Sequence, residues 1–221
     1  MPEEAVPPAI ASPAQAPEGP GASERRRLLL PSPLVAAAMP SAYFVAAVLA
    51  VHLTQAFGNV ASIWLSTGIL LAALVRHKPR AWPALALLAA AADLAAGLAV
   101  GTPAALAAGF TAFDVGEALL AAAVLRRLGE PAAWFTCFPR LALFALVALL
   151  APIASATPAA VLVTLLGNDG VPFAQAWSTW YTSEALGLLL VVPFLLSWTD
   201  PALRRDLPVR KVLEAHRRRR S

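Results

Sequence analysis

The feature that most constrains the fold of this chain is its last long apolar segment, which runs from Trp177 to Trp198. Its larger part, from Ala185 onward, contains fourteen residues without a charge. A helix on the surface of a soluble protein carries polar residues on one face, whereas a helix in a bilayer needs about 20 mostly apolar residues. Aromatic residues at both ends suit the two lipid–water interfaces, and all six Trp residues of the chain fall near the ends of apolar segments, so they are predicted to be interfacial anchors. The segment therefore predicts a transmembrane helix, and its single acidic residue, Glu184, lies near the entrance.

Five similar apolar segments precede it, separated by Gly, Pro and charged residues. The chain of 221 residues is 59% hydrophobic and 14% charged, whereas soluble proteins are roughly 25% charged. Backbone groups inside a bilayer must bond within their own segment, so the segments are predicted to be helices. We predict an all-α, polytopic transmembrane helix bundle with six spans, at about 41–57, 60–75, 81–100, 103–125, 141–166 and 173–198.

The fifth predicted span is long and contains Pro152 and Pro158. Two short helices would fit its length, but two crossings would place the basic C-terminal residues on the opposite side from the other basic residues. One long helix, kinked at proline or tilted in the bilayer, keeps them on the same side. We therefore predict a single helix here.

The basic residues set the predicted orientation. All seventeen Lys and Arg residues lie within 25–27, 76–80, 126–140 and 204–220. With six spans these clusters fall on one side of the membrane, and the positive-inside rule makes that side cytoplasmic. We predict a multi-pass protein of the plasma membrane, the inner membrane in a bacterium, with cytoplasmic N- and C-termini. A pI near 10.0 then reflects topology, and we predict no nucleic-acid partner.

Two cytoplasmic tails are predicted to flank a membrane domain at residues 33–199. Residues 1–32 are rich in Pro and Ala, and such a stretch cannot bury a core, so we predict disorder. Residues 200–221 form a basic tail that is too short for a catalytic domain.

Four acidic residues fall inside predicted spans, where a charge costs about 2.5–3.5 kcal/mol and normally faces the bundle interior. Asp114 and Glu117 are three residues apart on one helical face, and their proximity disfavours ionisation of both. His52 is the one basic group within a predicted span that could pair with them. The alternative is that the acids hydrogen-bond to Ser, Thr or backbone groups and only fix the register of the helices. The candidates for a ligand-binding or polar centre are Asp93, Asp114, Glu117 and Glu184.

The sequence offers no catalytic or metal-binding pattern. The three His residues are scattered, Cys137 is the single cysteine, and neither a G-x-S-x-G elbow nor a phosphate-binding glycine loop occurs. We therefore predict no enzymatic activity, no cofactor and no metal site.

Five short motifs occur in a fixed order along the chain. They are IWLSTG with Trp64 and Gly68, the pair Trp82-Pro83 with Asp93 about ten residues later, FDVGEALL with Asp114 and Glu117, IASAT from Ile153 to Thr157, and WYTSEALGLLLVVP with Trp180, Glu184, Gly187 and Pro193. Over about residues 41–199 this order resembles the MASE family of membrane-associated sensor domains, in its first-described class. Several positions depart from the family pattern, including Ser66 for Pro, Asp93 and Asp114 for Asn, and Glu184 for Asp.

The resemblance implies a bacterial inner-membrane sensor domain that works with a histidine kinase, a diguanylate cyclase or a phosphodiesterase. We expect a sensor and signal-transduction domain, stand-alone or acting with a separate cytoplasmic kinase, cyclase or phosphatase, in the lipid bilayer. Its small ligand and its homo-oligomeric state stay open. The family usually adds a final hairpin and an output domain, neither of which follows the sixth predicted span here.

A different class of function is the alternative. Six spans with buried acids also suit a small solute transporter, or a substrate-binding membrane subunit, coupled to protons or cations. An inverted repeat between the halves would favour the transporter, and the sequence has no clear repeat. An intramembrane enzyme is a weaker third interpretation because no nucleophile and base are paired.

Overall fold

The computed structural model describes residues 32–56, 63–129, 131–135, 137–167 and 170–199. Within these ranges the chain forms six α-helices and three short 3₁₀ turns, with no strand. The predicted tails lie outside the described residues, apart from Ser32. The helices are α1 Pro33–Ala56, α2 Leu65–Arg76, α3 Trp82–Ala99, α4 Ala104–Leu125, α5 Phe138–Leu166 and α6 Phe173–Thr199.

Five of the six helices are long and apolar enough to cross a membrane, and α2 is the exception. Its 12 residues give a length of about 18 Å, against about 30 Å for a hydrocarbon core. The all-helical prediction is therefore confirmed. The count of six crossings and the orientation of the termini stay predictions.

The short helix α2 begins at mid-height of the bundle. The Ser66 hydroxyl in its first turn donates a hydrogen bond of 3.2 Å to the Tyr43 carbonyl of α1, and Trp64 just before it has extended backbone angles. The thirteen residues of α1 after Tyr43 correspond to about 20 Å of helix. About half of α1 therefore extends beyond the N-terminus of α2.

The surroundings of α2 are tightly packed, since it contacts α1, α4 and α6. Two glycines permit its close approach to α6. A Cβ on Gly68 would lie 2.7 Å from the Cβ of Val191, and a Cβ on Gly187 would collide with the Trp64 carbonyl oxygen. The Trp64 backbone N–H also donates a 3.1 Å hydrogen bond to the Ser183 carbonyl. These contacts seat the start of α2 on α6.

The fifth helix is continuous over 29 residues although Pro152 and Pro158 lie inside it, as the prediction of a single helix requires. It packs between α4 and α6. Each proline removes a backbone donor, and the Ser155 hydroxyl between them donates to the Pro152 carbonyl at 3.2 Å.

At the end of the bundle where the described basic residues lie, the indole N–H of Trp82 donates to the carbonyl oxygens of Leu74 and His77, at 2.8 and 3.3 Å. The last carbonyls of a helix lack the usual partner four residues on, and the Leu74 carbonyl also accepts from the His77 backbone N–H at 3.2 Å. The Arg126 guanidinium stacks 5.5 Å from the centre of the Trp82 ring. Trp134 is fully buried, so the expectation that it is an anchor at the lipid interface was wrong.

The outer surface of the bundle is apolar. Large side chains such as Leu87, Leu165 and Phe194 are 60% to 74% exposed, which is unusual in water and suits contact with lipid tails. The largest buried cluster instead lies where α1, α2 and α3 meet α4, α5 and α6.

Candidate functional site

The structure brings the four intramembrane acids together in the bundle interior. Asp93 is on α3, Asp114 and Glu117 are on α4, and Glu184 is on α6. Each side chain is at most 6% exposed. Asp114 interacts electrostatically with Asp93, Glu117 and Glu184, so the four residues form one group, called here the acid cluster.

Two members of the acid cluster accept hydrogen bonds from hydroxyl groups. The Thr111 hydroxyl donates to Asp93 Oδ2 at 2.6 Å. The Ser155 hydroxyl of α5 donates to Glu117 Oε2. Asp93 and Glu117 are therefore each held by a hydroxyl group, one on α4 and one on α5, and the second oxygen of Glu117, Oε1, is buried without a partner among the described residues.

The other two members are poorly paired. Both carboxylate oxygens of Asp114 and Oε2 of Glu184 are buried without a hydrogen-bonding partner among the described residues. Asp114 faces the Trp64 indole N–H and the Glu184 carboxyl group, and Glu184 also faces the Thr67 hydroxyl. Within the described ranges, neither oxygen of Asp114, nor the Trp64 N–H, nor the Thr67 hydroxyl makes a hydrogen bond of standard geometry. Buried polar groups of this kind cost free energy unless something pairs with them.

The Tyr43 hydroxyl extends the same polar region from α1. It is fully buried, interacts electrostatically with Asp93, Asp114 and Glu184, and has no well-aligned hydrogen bond to a described residue. Polar groups from α1, α2, α3, α4 and α6 thus converge on one point of the bundle.

A cavity of about 580 Å³ adjoins the acid cluster. Asp93, Asp114 and Glu184 line it, while Glu117 does not. Its wall also contains Trp64, Phe110 and Trp180, and the Phe110 and Trp180 ring centres are 4.8 Å apart. Its volume is in the range of typical small-molecule sites, about 300–1,000 Å³.

The cavity extends towards the end of the bundle opposite the described basic residues. Its wall includes Thr102, in the α3–α4 connection, and Val171 and Gln175, at the start of α6. Arg76, on α2, and Arg126 lie at the other end of these helices. From the start of α4, Asp114 is ten residues along, a depth of about 15 Å.

The N-terminus of α2 lies beside the acid cluster because Trp64 and Thr67 face Asp114 and Glu184. A helix N-terminus carries a partial positive charge that stabilises negative groups. Because α2 begins at mid-height of the bundle, its positive end lies beside the acids. The helix dipole can therefore stabilise their negative charge, as a Lys or Arg side chain would.

His52, considered from sequence as a cationic partner for the acids, lies on an exposed face of α1. Among the described residues, the cavity wall has no Lys, Arg or His. His52 is therefore not the partner of the acids, and Thr111 and Ser155 bond to them instead.

The motif residues divide into two groups. Trp64 and Trp180 line the cavity, although the sequence suggested only interfacial anchors. The other motif residues lie away from the cavity wall and belong to the helix framework. Gly68 and Gly187 lie at the α2–α6 contact, Trp82 and Pro83 begin α3, and Pro193 lies inside α6.

Sequence reasoning allowed for Ser or Thr partners of the acids in general, but it did not identify the hydroxyl groups around them, namely those of Tyr43, Thr67, Thr111 and Ser155. Single hydroxyl residues in an apolar span are common, because Ser and Thr can bond to their own helix. The spacing of Thr111 could have indicated its proximity to the acids, because it is three residues before Asp114 and lies on the same face of the helix.

A comparison with known families matched the MASE1 model to residues 33–207. The chain is also 28% identical, over 194 residues, to "Probable diguanylate cyclase DgcE" of Escherichia coli (strain K12). That alignment covers 87% of this chain and 17% of the relative, so the chain spans about a sixth of its length. No solved structure matched the chain.

Proposed function

Because this chain belongs to the MASE1 family of membrane sensor domains, we propose that its acid cluster and adjoining cavity are the sensing site. The observation that carries the proposal is the set of buried carboxylate oxygens of Asp114 and Glu184, which face a cavity without a hydrogen-bonding partner among the described residues. A ligand that enters the cavity can bond to them directly.

The sensing step needs two arrangements of the bundle with different affinities for the ligand. The acids are on α3, α4 and α6, so a ligand bridging them changes the packing of these helices. Helix α6 ends at Thr199, at the basic end of the bundle. A shift or rotation of α6 would carry the signal from the cavity to whatever follows it.

The output side of the proposal is a cytoplasmic signalling enzyme, supported by the relative's description as a probable diguanylate cyclase. A kinase or phosphatase would serve the same purpose. The partner is either fused to this domain or a separate protein, and the domain itself supplies the input rather than a catalytic site.

For topology we propose six crossings in the bacterial inner membrane, with both termini cytoplasmic. The short helix α2 supplies half of the second crossing, and extended backbone at Ile63 and Trp64 precedes it. Non-helical backbone at membrane depth is tolerated where protein surrounds it or a polar cavity is adjacent. The opening of the cavity would then face the periplasm.

Cysteine labelling tests this orientation. Cys137 is exposed and lies at the basic end, so a membrane-impermeant maleimide should label it in inside-out vesicles and not in intact cells with a permeabilised outer membrane. In a Cys137→Ala background, Ala104→Cys at the other end of the bundle should show the opposite pattern. Labelling of both sites from the same side would contradict the topology.

A chimera tests the sensing site. We would replace the matched region of the DgcE relative by residues 33–207 and measure the cyclase product in cells. The double variant Glu117→Gln/Glu184→Gln should change output about fivefold or more, the scale of ordinary allosteric coupling. Thr164→Ala, on the exposed face of α5, should leave output unchanged. Equal output from all three chimeras would contradict the proposal.

The transporter alternative predicts a different outcome in a different assay. Purified protein in proteoliposomes would accumulate solute when a pH gradient is applied, and Glu184→Gln would abolish the accumulation. A sensor domain should show no net accumulation under the same gradient.

A further inference from the structure

The cavity beside the acid cluster has a wall of unusual composition. It contains three carboxyl groups, from Asp93, Asp114 and Glu184, and none of its described lining residues is basic. All three side chains are at least nine-tenths buried. When ionised, these groups repel an anionic ligand and attract a cation, and the low local dielectric strengthens both effects.

The carboxyl groups of Asp114 and Glu184 still have bonding capacity. Asp114 is 1% exposed, and neither of its oxygens accepts a hydrogen bond from a described residue. Glu184 is 2% exposed, and its Oε2 likewise accepts no hydrogen bond from a described residue. A protonated amine is a donor without an acceptor and pairs well with such oxygens, whereas a quaternary ammonium group, which has no N–H, is attracted to them by charge alone.

Aromatic rings supply the second, independent observation. Phe110 and Trp180 line the cavity together, with ring centres 4.8 Å apart and planes inclined by 55°. Trp64 adds a third ring beside Asp114. A cation within about 6 Å of an aromatic face is attracted by the ring quadrupole, and groups of such rings recognise quaternary ammonium compounds.

The size of the cavity distinguishes an organic cation from a metal ion. At about 580 Å³ it has the volume of a site for a small organic molecule. A bare ion needs several oxygen ligands at about 2–2.6 Å. Within the described ranges, no three acidic, His or Cys side chains come together in a way that could hold one metal ion.

We propose that the cavity binds a small organic cation, an amine or a quaternary ammonium compound. Asp114 and Glu184 bind its charged group, and Phe110 and Trp180 contact its alkyl substituents. This inference rests on the proposed function in treating the cavity as the sensing site. Its test measures binding to the isolated chain and needs no signalling output.

The experiment uses the full chain in nanodiscs and a panel of probes in charged and neutral pairs. The leading pair is choline and 3,3-dimethyl-1-butanol, which have nearly the same shape and differ in charge. Trimethylamine derivatives and primary alkylamines are paired with alcohols in the same way. Binding is followed by isothermal titration calorimetry and by tryptophan fluorescence, because Trp64 and Trp180 line the cavity.

The expected result is saturable binding of at least one cation, about tenfold or more tighter than its neutral partner, the scale of a cation–π contact or a close ion pair at a desolvated site. Asp114→Asn should weaken that binding by about ten- to a hundredfold. Phe110→Leu should weaken it by about two- to thirtyfold, the range of a cation–π contact.

Glu117→Gln is the matched control, since Glu117 belongs to the acid cluster but is not part of the cavity wall. It removes the same charge and should weaken binding less than Asp114→Asn does. An equal loss from both variants would mean that overall charge, and not contact, decides binding, and would overturn the assignment of Asp114.

Three results would overturn the proposal as a whole. In the first, no cation of the panel binds more tightly than its neutral partner. In the second, Na⁺ displaces the organic probe at equal concentration, which would indicate an inorganic ion site. In the third, a neutral polyol binds equally well to the unmodified chain and to Asp114→Asn. The comparison of charged and neutral probes needs no variant, so it decides the matter even if a substituted protein fails to fold.

A cation that binds without changing the output of the chimera would separate the two proposals. Binding would then stand, and the sensing function of the cavity would fail. If instead no cation bound while the acid substitutions still changed the output of the chimera, the sensing function would stand and the cation-binding proposal would fail.

Discussion

The contact between α2 and α6 gives the sharpest mechanical prediction, and Gly187→Ala is the perturbation that addresses it. A Cβ at Gly187 would collide with the carbonyl oxygen of Trp64. That oxygen belongs to the backbone at the start of α2, and the backbone N–H of the same residue is bonded to the Ser183 carbonyl. The clash can be relieved only by separating the two helices.

The size of the effect follows from two opposing contributions. Overpacking a close contact costs about 1–3 kcal/mol, while Ala in place of Gly inside a helix gains about 1 kcal/mol. Gly116 on α4 provides a control, because a Cβ there meets nothing within 4 Å. Gly116→Ala gains the same helix propensity without the clash. The difference in free energy of unfolding between the two variants therefore measures the cost of the clash between residue 187 and the Trp64 carbonyl oxygen.

We expect Gly187→Ala to have a free energy of unfolding about 1–3 kcal/mol below that of Gly116→Ala. The assay is reversible unfolding in mixed micelles with increasing dodecyl sulfate, followed by far-ultraviolet circular dichroism. If the two variants unfold at the same dodecyl sulfate fraction, then α2 does not approach α6 as closely as described, and the reasoning is wrong.

Gly187→Ala should also disturb the cavity. Trp64 is part of the cavity wall, and the separation of α2 from α6 moves it. Binding of the cationic probe should weaken in Gly187→Ala and stay unchanged in Gly116→Ala, which would link the helix contact to the site.

Other predictions concern individual hydrogen bonds and use the same unfolding assay. Ser155→Ala removes the described hydrogen-bond donor to Glu117 and should lower the free energy of unfolding by about 1–3 kcal/mol. Thr164→Ala, which removes a hydroxyl bonded within its own helix, should change it by less than about 0.5 kcal/mol. Trp82→Phe removes the N–H that bonds to the Leu74 carbonyl and should cost about 0.5–1.5 kcal/mol. Trp82→Leu should lower the free energy of unfolding further, since the ring is also lost. A smaller loss from Trp82→Leu than from Trp82→Phe would argue against a role of Trp82 in capping the C-terminus of α2.

The helical class of this protein could be read from the sequence because each apolar segment is long and nearly free of charge. Lipid leaves a segment such as 173–198 with no partner for its backbone except itself, so helix formation follows from local composition. The fifth segment could likewise be assigned to one helix, in agreement with the observed range Phe138–Leu166.

The length of α2 could not be read in this way. Its segment is apolar from Val60 onward apart from a few small polar residues, yet the helix begins at Leu65. The start is set by contacts with α6, through Ser183 and Gly187. These contacts join residues more than a hundred positions apart in the chain, and no local pattern specifies them.

The acid cluster shows the division between sequence and tertiary structure most clearly. The sequence by itself determined that Asp93, Asp114, Glu117 and Glu184 lie in apolar helices, where their cost favours an inward position. Only the tertiary structure decided which of them line a cavity, because that depends on how α2, α4 and α6 approach one another. It also placed Trp64 and Trp180 beside the acids. Burial of a charge is a local cost that a sequence reveals, whereas the shape of a cavity is a property of the packed helices together.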